Sequence, residues 1–251
     1  MAELVGAEGQ HDHNNRLLIA IDGTAGAGKT TIGQMLSAKL SIPYLDTGAM
    51  YRAVTLLALQ KNISLNPPDA ASLTELAHTL DFVSRDATPA EAADQRQYTV
   101  LLNGRDVSEE LRSPDVENGV STIATIPQVR AELVERQREM SRKAPGGIIM
   151  MGRDIGSVVL PDADLKIYLD ASPEVRARRR SQQADKDQEQ ARQNLEQRDK
   201  VDSQRAVAPL VLAPGATPIF TDHLSREEVM ARVEELLDEV LKKREAAKNR
   251  E

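Results

Sequence analysis

Leu17 to Leu36 reads LLIAIDGTAGAGKTTIGQML. The apolar run LLIAID suits a strand buried on both faces, and from Lys29 a helical pattern sets Ile32, Met35, Leu36 and Leu40 on one side. Between them, Gly23-x-x-x-x-Gly28-Lys29-Thr30 fits the phosphate-binding loop in its required context, after a strand and opening a helix. In such a loop Gly23, Thr24, Ala25, Gly26, Ala27 and Gly28 turn backbone N–H groups onto phosphates and the helix N-terminus adds positive potential. Lys29 reaches the β- and γ-phosphates, and the hydroxyl of Thr30, followed by Thr31, is placed to ligate Mg²⁺.

The pattern continues on both sides of Lys61. IPYLDTG reads as a short strand and AMYRAVTLLALQK as a helix, which completes a βαβ rhythm and predicts a parallel sheet. From about residue 62 to 145 the character changes. NPPD breaks the rhythm, Asp81–Arg85 and Tyr98–Asn103 read as short strands with a turn at Asn103-Gly104, and VENGVSTIATIPQVRAELVERQREM reads as helix, with Pro127 starting a second one. We read this as an inserted subdomain between core segments 16–61 and 146–251. GIIMM, LKIYLD and TPIFTD then return as strands, a basic helix starts at Pro173, and REEVMARVEELLDEVLKK closes the chain as an amphipathic helix.

Composition narrows the partners. A net charge of −7 with 2% aromatics disfavours a nucleic-acid face and favours small molecules. The absence of Cys removes disulfides, thiolate metal sites and cysteine nucleophiles, and is compatible with a reducing cytoplasm. No apolar run reaches membrane-spanning length, and residues 1–15 read as a disordered extension whose His11 and His13 belong to a solvated tail. The expectation is a cytoplasmic monomer that binds neither nucleic acid nor membrane. Neither NKxD nor DxxG is present, against a GTPase switch, nor HRD, against a protein kinase. A small-molecule phosphotransferase is the favoured class; a kinase for another acceptor (UMP, AMP or shikimate) and a non-catalytic ATP sensor are its rivals.

YLDTGAMYRA, IPQVR, GRDIGSVVLPDADLKIYLDAS and RDKVDSQRAVAPL, in this order, resemble bacterial-type cytidylate kinase from Leu17 to the final helix. The resemblance implies a nucleoside-monophosphate-kinase fold: an α/β architecture with a five-stranded parallel sheet flanked by helices, an inserted NMP-binding subdomain and a helical lid near 176–200. It also implies transfer of the γ-phosphate of ATP onto CMP or dCMP with Mg²⁺.

The residues suit that task on chemical grounds. A phosphate nucleophile is already largely dianionic near neutral pH, its second pKa being about 6, so no general base is needed. What is needed is positive charge, and Lys29, Arg52, Arg153, Arg198 and Arg205 supply it from separate segments. By resemblance, Arg52, Arg153 and Arg205 contact the CMP phosphate, while Arg198 and Asp202 clamp the phosphate and ribose side. Ser121, Arg130 and Asp154 read the base, and Thr47 adds a hydroxyl. An Asp carboxylate accepts from the cytosine amine but repels the uracil carbonyl. Lys29, Arg153 and Arg180 carry the catalytic charge in this reading.

Some roles stay open in the sequence. Arg176, Arg179 and Arg180 recur at helical spacing; alone they suit a solvated basic face, while the resemblance sends one or two, with Arg179 and Arg180 favoured, to the ATP phosphates. Asp22 and Asp46 each fit either a magnesium partner or a polar strand end, with Asp22 placed beside Thr30 as the metal pair. Tyr51 fits packing as well as ligand contact. Two departures stand out: Thr24 where the family usually has Pro, and Met151 where many members carry an acidic residue before GRD.

Overall fold

A computed structural model of the chain describes residues 16–92, 96, 98–184 and 188–249. The expected disordered extension, with His11 and His13, lies outside the described residues, as do 185–187 in the expected lid. Strands β1 (Leu17–Gly23), β2 (Tyr44–Asp46), β6 (Gly147–Met151), β7 (Leu165–Asp170) and β8 (Thr217–Phe220) form a five-stranded sheet in the order β2-β6-β1-β7-β8, every neighbouring pair parallel.

Side-chain alternation divides the core. On one face Ile19, Ile21, Ile149, Met151 and Ile167 pack with α1 (Lys29–Leu40) and α9 (Arg226–Lys248) through Ile32, Leu36, Val233 and Leu237. On the other, Ala20, Ile148 and Met150 pack under α2 (Thr47–Gln60) and the inserted elements. Because both faces are covered, β1 and β6 read as nearly unbroken apolar runs.

The segment between α2 and β6 carries α3 (Ala70–His78), an antiparallel sheet of β3 (Phe82–Asp86), β4 (Tyr98–Leu102) and β5 (Arg105–Asp106), the short α4 (Pro89–Ala92), a 3-10 turn at Glu110–Arg112, and helices α5 (Pro114–Thr125) and α6 (Pro127–Lys143). Asn103 and Gly104, with φ of 50° and 74°, turn β4 into β5. Ile126 is held extended ahead of Pro127, which is why α5 and α6 are separate helices. After β7 come α7 (Pro173–Ala184) and α8 (Gln188–Gln204). Among the described residues no helix is long and apolar enough to cross a membrane.

The strand ends that carry Gly23, Asp46, Met151 and Asp170 all lie at the carboxyl edge of the sheet. That edge is where an open parallel sheet leaves a crevice for ligands.

Candidate active site

The phosphate loop spans the gap between Gly23, which ends β1, and Lys29, which opens α1. Gly23 (φ 143°) lies against the Leu169 carbonyl of β7, where a Cβ would collide with backbone, and Gly28 (φ 98°) caps α1. The loop is pinned from several sides. Thr24 Oγ1 donates to Asp170 Oδ1 at 2.7 Å, Ala25 N donates to Asp199 Oδ1 at 3.4 Å, and Arg176 Nη1 donates to Ala25 O at 3.1 Å. Lys29 Nζ donates to Gly23 O at 2.8 Å and Thr24 O at 2.6 Å. Burial, then the nearby Arg153, pushes the Lys29 ammonium well below its ordinary pKa, against the pull of Asp46, Asp22 and Asp199.

Thr30 Oγ1 sits 3.4 Å from Asp46 Oδ2. Burial would raise the Asp46 carboxyl, but Arg52, Lys29 and the Tyr98 hydroxyl outweigh it and hold the group below its ordinary value. Asp22 is engaged differently: its two oxygens accept from Ile155 N and Gly156 N, each at 2.7 Å, and so tie β1 to the turn after GRD. Burial lifts the Asp22 pKa from 3.8 to about 6 despite those donors. Of the two aspartates, Asp46 is the one that meets Thr30. Met151 fills the apolar space over Gly33 of α1, and its register partner on the neighbouring strand is Asp46.

Around Asp202 and Asp46, arginines from separate elements crowd together. Arg153 Nε donates to Asp202 Oδ2 at 2.8 Å, Arg205 lies 3.8 Å from Asp202, and Arg52 Nη2 lies 3.4 Å from Asp46. Burial, then Arg153 and Arg52, brings Arg198 down to about 10, with Asp202 opposing. Arg205 is 8% exposed, and its Nε and Nη2 are buried with no hydrogen-bond partner among the described residues. Cations pressed together beside orphaned guanidinium donors describe a site shaped for an anion.

Beyond the arginines, Arg130 pairs with Asp154 out of solvent, also donates to Ala124 O at 3.3 Å, and lies over the Tyr51 ring at 5.5 Å. Tyr51 thereby supports the Arg130 cation as well as packing in the core. Burial raises the Asp154 carboxyl, against Arg130 and Arg205. Ser121 stands on α5, one turn beyond Glu117. The Thr47 hydroxyl donates to Met151 O at 2.9 Å and is buried, so it braces the GRD turn.

The three arginines of the basic helix turn to different partners. Arg179 donates to Thr221 Oγ1 at 2.9 Å and Thr221 O at 2.7 Å, which anchors α7 to the end of β8. Arg180 pairs with Glu117 of α5, and burial followed by Arg52 and Arg112 depresses its pKa. Arg176, one turn earlier and 4% exposed, is the member that touches the loop, where it also pairs with Asp199. Sequence reasoning missed Asp170, Asp199 and Tyr98, whose roles come from contacts distant in sequence; the sole local signal was that Asp170 and Tyr98 sit at strand ends, while Asp199 lies inside α8.

A phosphate loop at the carboxyl edge of a parallel sheet, beside a cluster of buried arginines, defines a P-loop protein. The chain belongs to the cytidylate kinase family: the family's sequence profile, described as Cytidylate kinase, matches residues 19–239. Among curated relatives, the bifunctional pantoate ligase/cytidylate kinase of Synechococcus sp. (strain JA-2-3B'a(2-13)) is 43% identical over 91% of this chain, and the chain spans 42% of that protein's length. The cytidylate kinase of Desulforamulus reducens is 48% identical over 84% of this chain and 92% of its own. Among solved structures, the shikimate kinase of Bacteroides thetaiotaomicron aligns over 88% of this chain and 98% of its own at 14% identity and a TM-score of 0.42.

Proposed function

We propose that the chain transfers the γ-phosphoryl group of ATP directly to CMP or dCMP, giving ADP and CDP or dCDP. The observation that carries the acceptor site is the buried Arg205, whose Nε and Nη2 have no hydrogen-bond partner among the described residues; it shares Asp202 with Arg153 and lies near Arg130 and Asp154. Family membership and the solvent-sealed Asp154 favour a cytosine acceptor. In this reading Lys29 moves from the loop carbonyls to the β- and γ-phosphates, and the arginines hold the acceptor phosphate in line and stabilise charge on the transferred group. Asp154 accepts from the cytosine 4-amino group, and Arg130 opposes the burial that raises its carboxyl.

Magnesium fits the hydroxyl of Thr30 with a carboxylate 3.4 Å away, a hard-oxygen set that water completes. Thr30 and Asp46 would hold the ion, in place of the expected pair of Thr30 with Asp22, whose oxygens are taken by Ile155 N and Gly156 N, and it would neutralise donor phosphate charge. We read 62–145 as the acceptor-side subdomain and about 176–200 as the lid, whose Arg176 and Arg180 face the donor loop and the acceptor side respectively. The reading extends to a cytoplasmic monomer, with which the cysteine-free sequence is compatible. Calorimetric titration with CMP tests the acceptor site: wild type should bind it, and Arg205→Ala should bind at least about tenfold more weakly, as expected for losing a charge-assisted hydrogen bond. Equal affinity in both proteins would remove the site.

A further inference from the structure

Tyr98 belongs to β4, the middle strand of the inserted sheet, yet its side chain ends among the phosphate-site residues. Its hydroxyl donates to Asp46 Oδ2 at 3.0 Å and accepts from Arg52 Nη2 at 3.4 Å. The ring is 8% exposed and meets Tyr44 edge-on, centroids 6.5 Å apart, so packing fixes its direction.

Asp46 is aimed by these contacts. Oδ1 accepts from Gly48 N at 3.0 Å and caps α2. Oδ2 takes the Tyr98 hydroxyl at 3.0 Å, with Thr30 Oγ1 and Arg52 Nη2 farther off, each at 3.4 Å. The tyrosine therefore makes the closest of these Oδ2 contacts, and the guanidinium is only loosely paired. Without that hydroxyl, the charge of Oδ2 would fall on Arg52 and draw it in, away from an incoming phosphate.

Resting on the kinase reading above, we propose that Tyr98 is a positioning residue for phosphoryl transfer. Acting through Asp46, it leaves Arg52 available to the acceptor phosphate and holds the carboxylate toward Thr30 of the donor loop. One hydroxyl of the inserted sheet thus registers the two phosphate subsites against each other.

Tyr98→Phe removes that hydroxyl and keeps the ring. With CMP and ATP varied separately, the acceptor KM should rise about tenfold, the scale of one hydrogen bond to a charged group, while the ATP KM stays within about twofold. A purely structural tyrosine would lower Tm and leave the acceptor KM in place. The double variant with Asp46→Asn gives an independent readout: it should bind acceptor no worse than Asp46→Asn alone, because both changes break one link. An acceptor KM unchanged in Tyr98→Phe, or effects that multiply in the double variant, would overturn the proposal. A wild type idle with CMP would overturn it together with the kinase reading, whereas an active wild type matched by Tyr98→Phe overturns the proposal alone.

Discussion

Arg130 on α6 and Asp154 in the turn after β6 form an ion pair sealed from solvent, with side chains 3% and 8% exposed. Burial raises the Asp154 carboxyl and the Arg130 guanidinium pulls it down, so the pair favours the ionised form that the proposed cytosine amine would meet. Asp154→Asn should lower kcat/KM for CMP about 100-fold and cut the CMP-over-UMP preference by at least about tenfold, since an amide can turn its N–H toward the uracil carbonyl. Tm should fall as well, because Arg130 loses its buried partner. Kinetics with both nucleotides checks this; an unchanged preference would detach Asp154 from base reading.

Lys29 rests on the carbonyls of Gly23 and Thr24, a position from which its ammonium can swing to a phosphate. Lys29→Ala should reduce kcat by about 10³-fold or more, the scale for removing a positioned donor of transition-state charge. The circular dichroism spectrum should match wild type. Normal turnover in this variant would remove the phosphate-loop role.

Arg180 is paired with Glu117 on the inserted α5 and lies near Arg52 and Arg112. Arg180→Ala should therefore raise the KM for acceptor about tenfold and leave that for ATP within about twofold. The reverse split would put Arg180 on the donor phosphates.

Asp22 makes stability depend on pH. Its folded-state pKa of about 6 exceeds the ordinary 3.8, so folding takes up a proton in this window. Its contribution is fully present below about pH 4 and is lost as pH rises through about 6, a span worth roughly 3 kcal/mol at 1.36 kcal/mol per unit. Urea unfolding of wild type and Asp22→Asn from pH 4 to 8 measures it: wild type should lose stability relative to the variant as pH rises. Parallel curves would contradict the assignment.

The parts of the fold set by neighbours in sequence were legible beforehand. The Gly23–Thr30 loop, the apolar strands, the Asn103-Gly104 turn and the break at Pro127 each follow from local backbone chemistry. What strand order and helix placement decide was not. Met151 drew notice for a missing carboxylate, but no local pattern states that β2 lies beside β6 and brings Asp46 to the same level. Arg176, Arg179 and Arg180 share a helix, and only packing sends them to the loop, to Thr221 and to Glu117 respectively. Tyr98 read simply as a strand residue because its partners are 46 and 52 positions away.

The central claim is that a cytidine monophosphate accepts the phosphoryl group. Its most direct test is the initial rate of ADP formation from ATP and magnesium with CMP, dCMP, UMP, AMP or shikimate offered separately at equal concentration. CMP and dCMP should each accelerate ADP formation at least about tenfold over UMP, with AMP and shikimate near the acceptor-free rate. A rate unmoved by CMP, or one that UMP or AMP equals, would contradict the account.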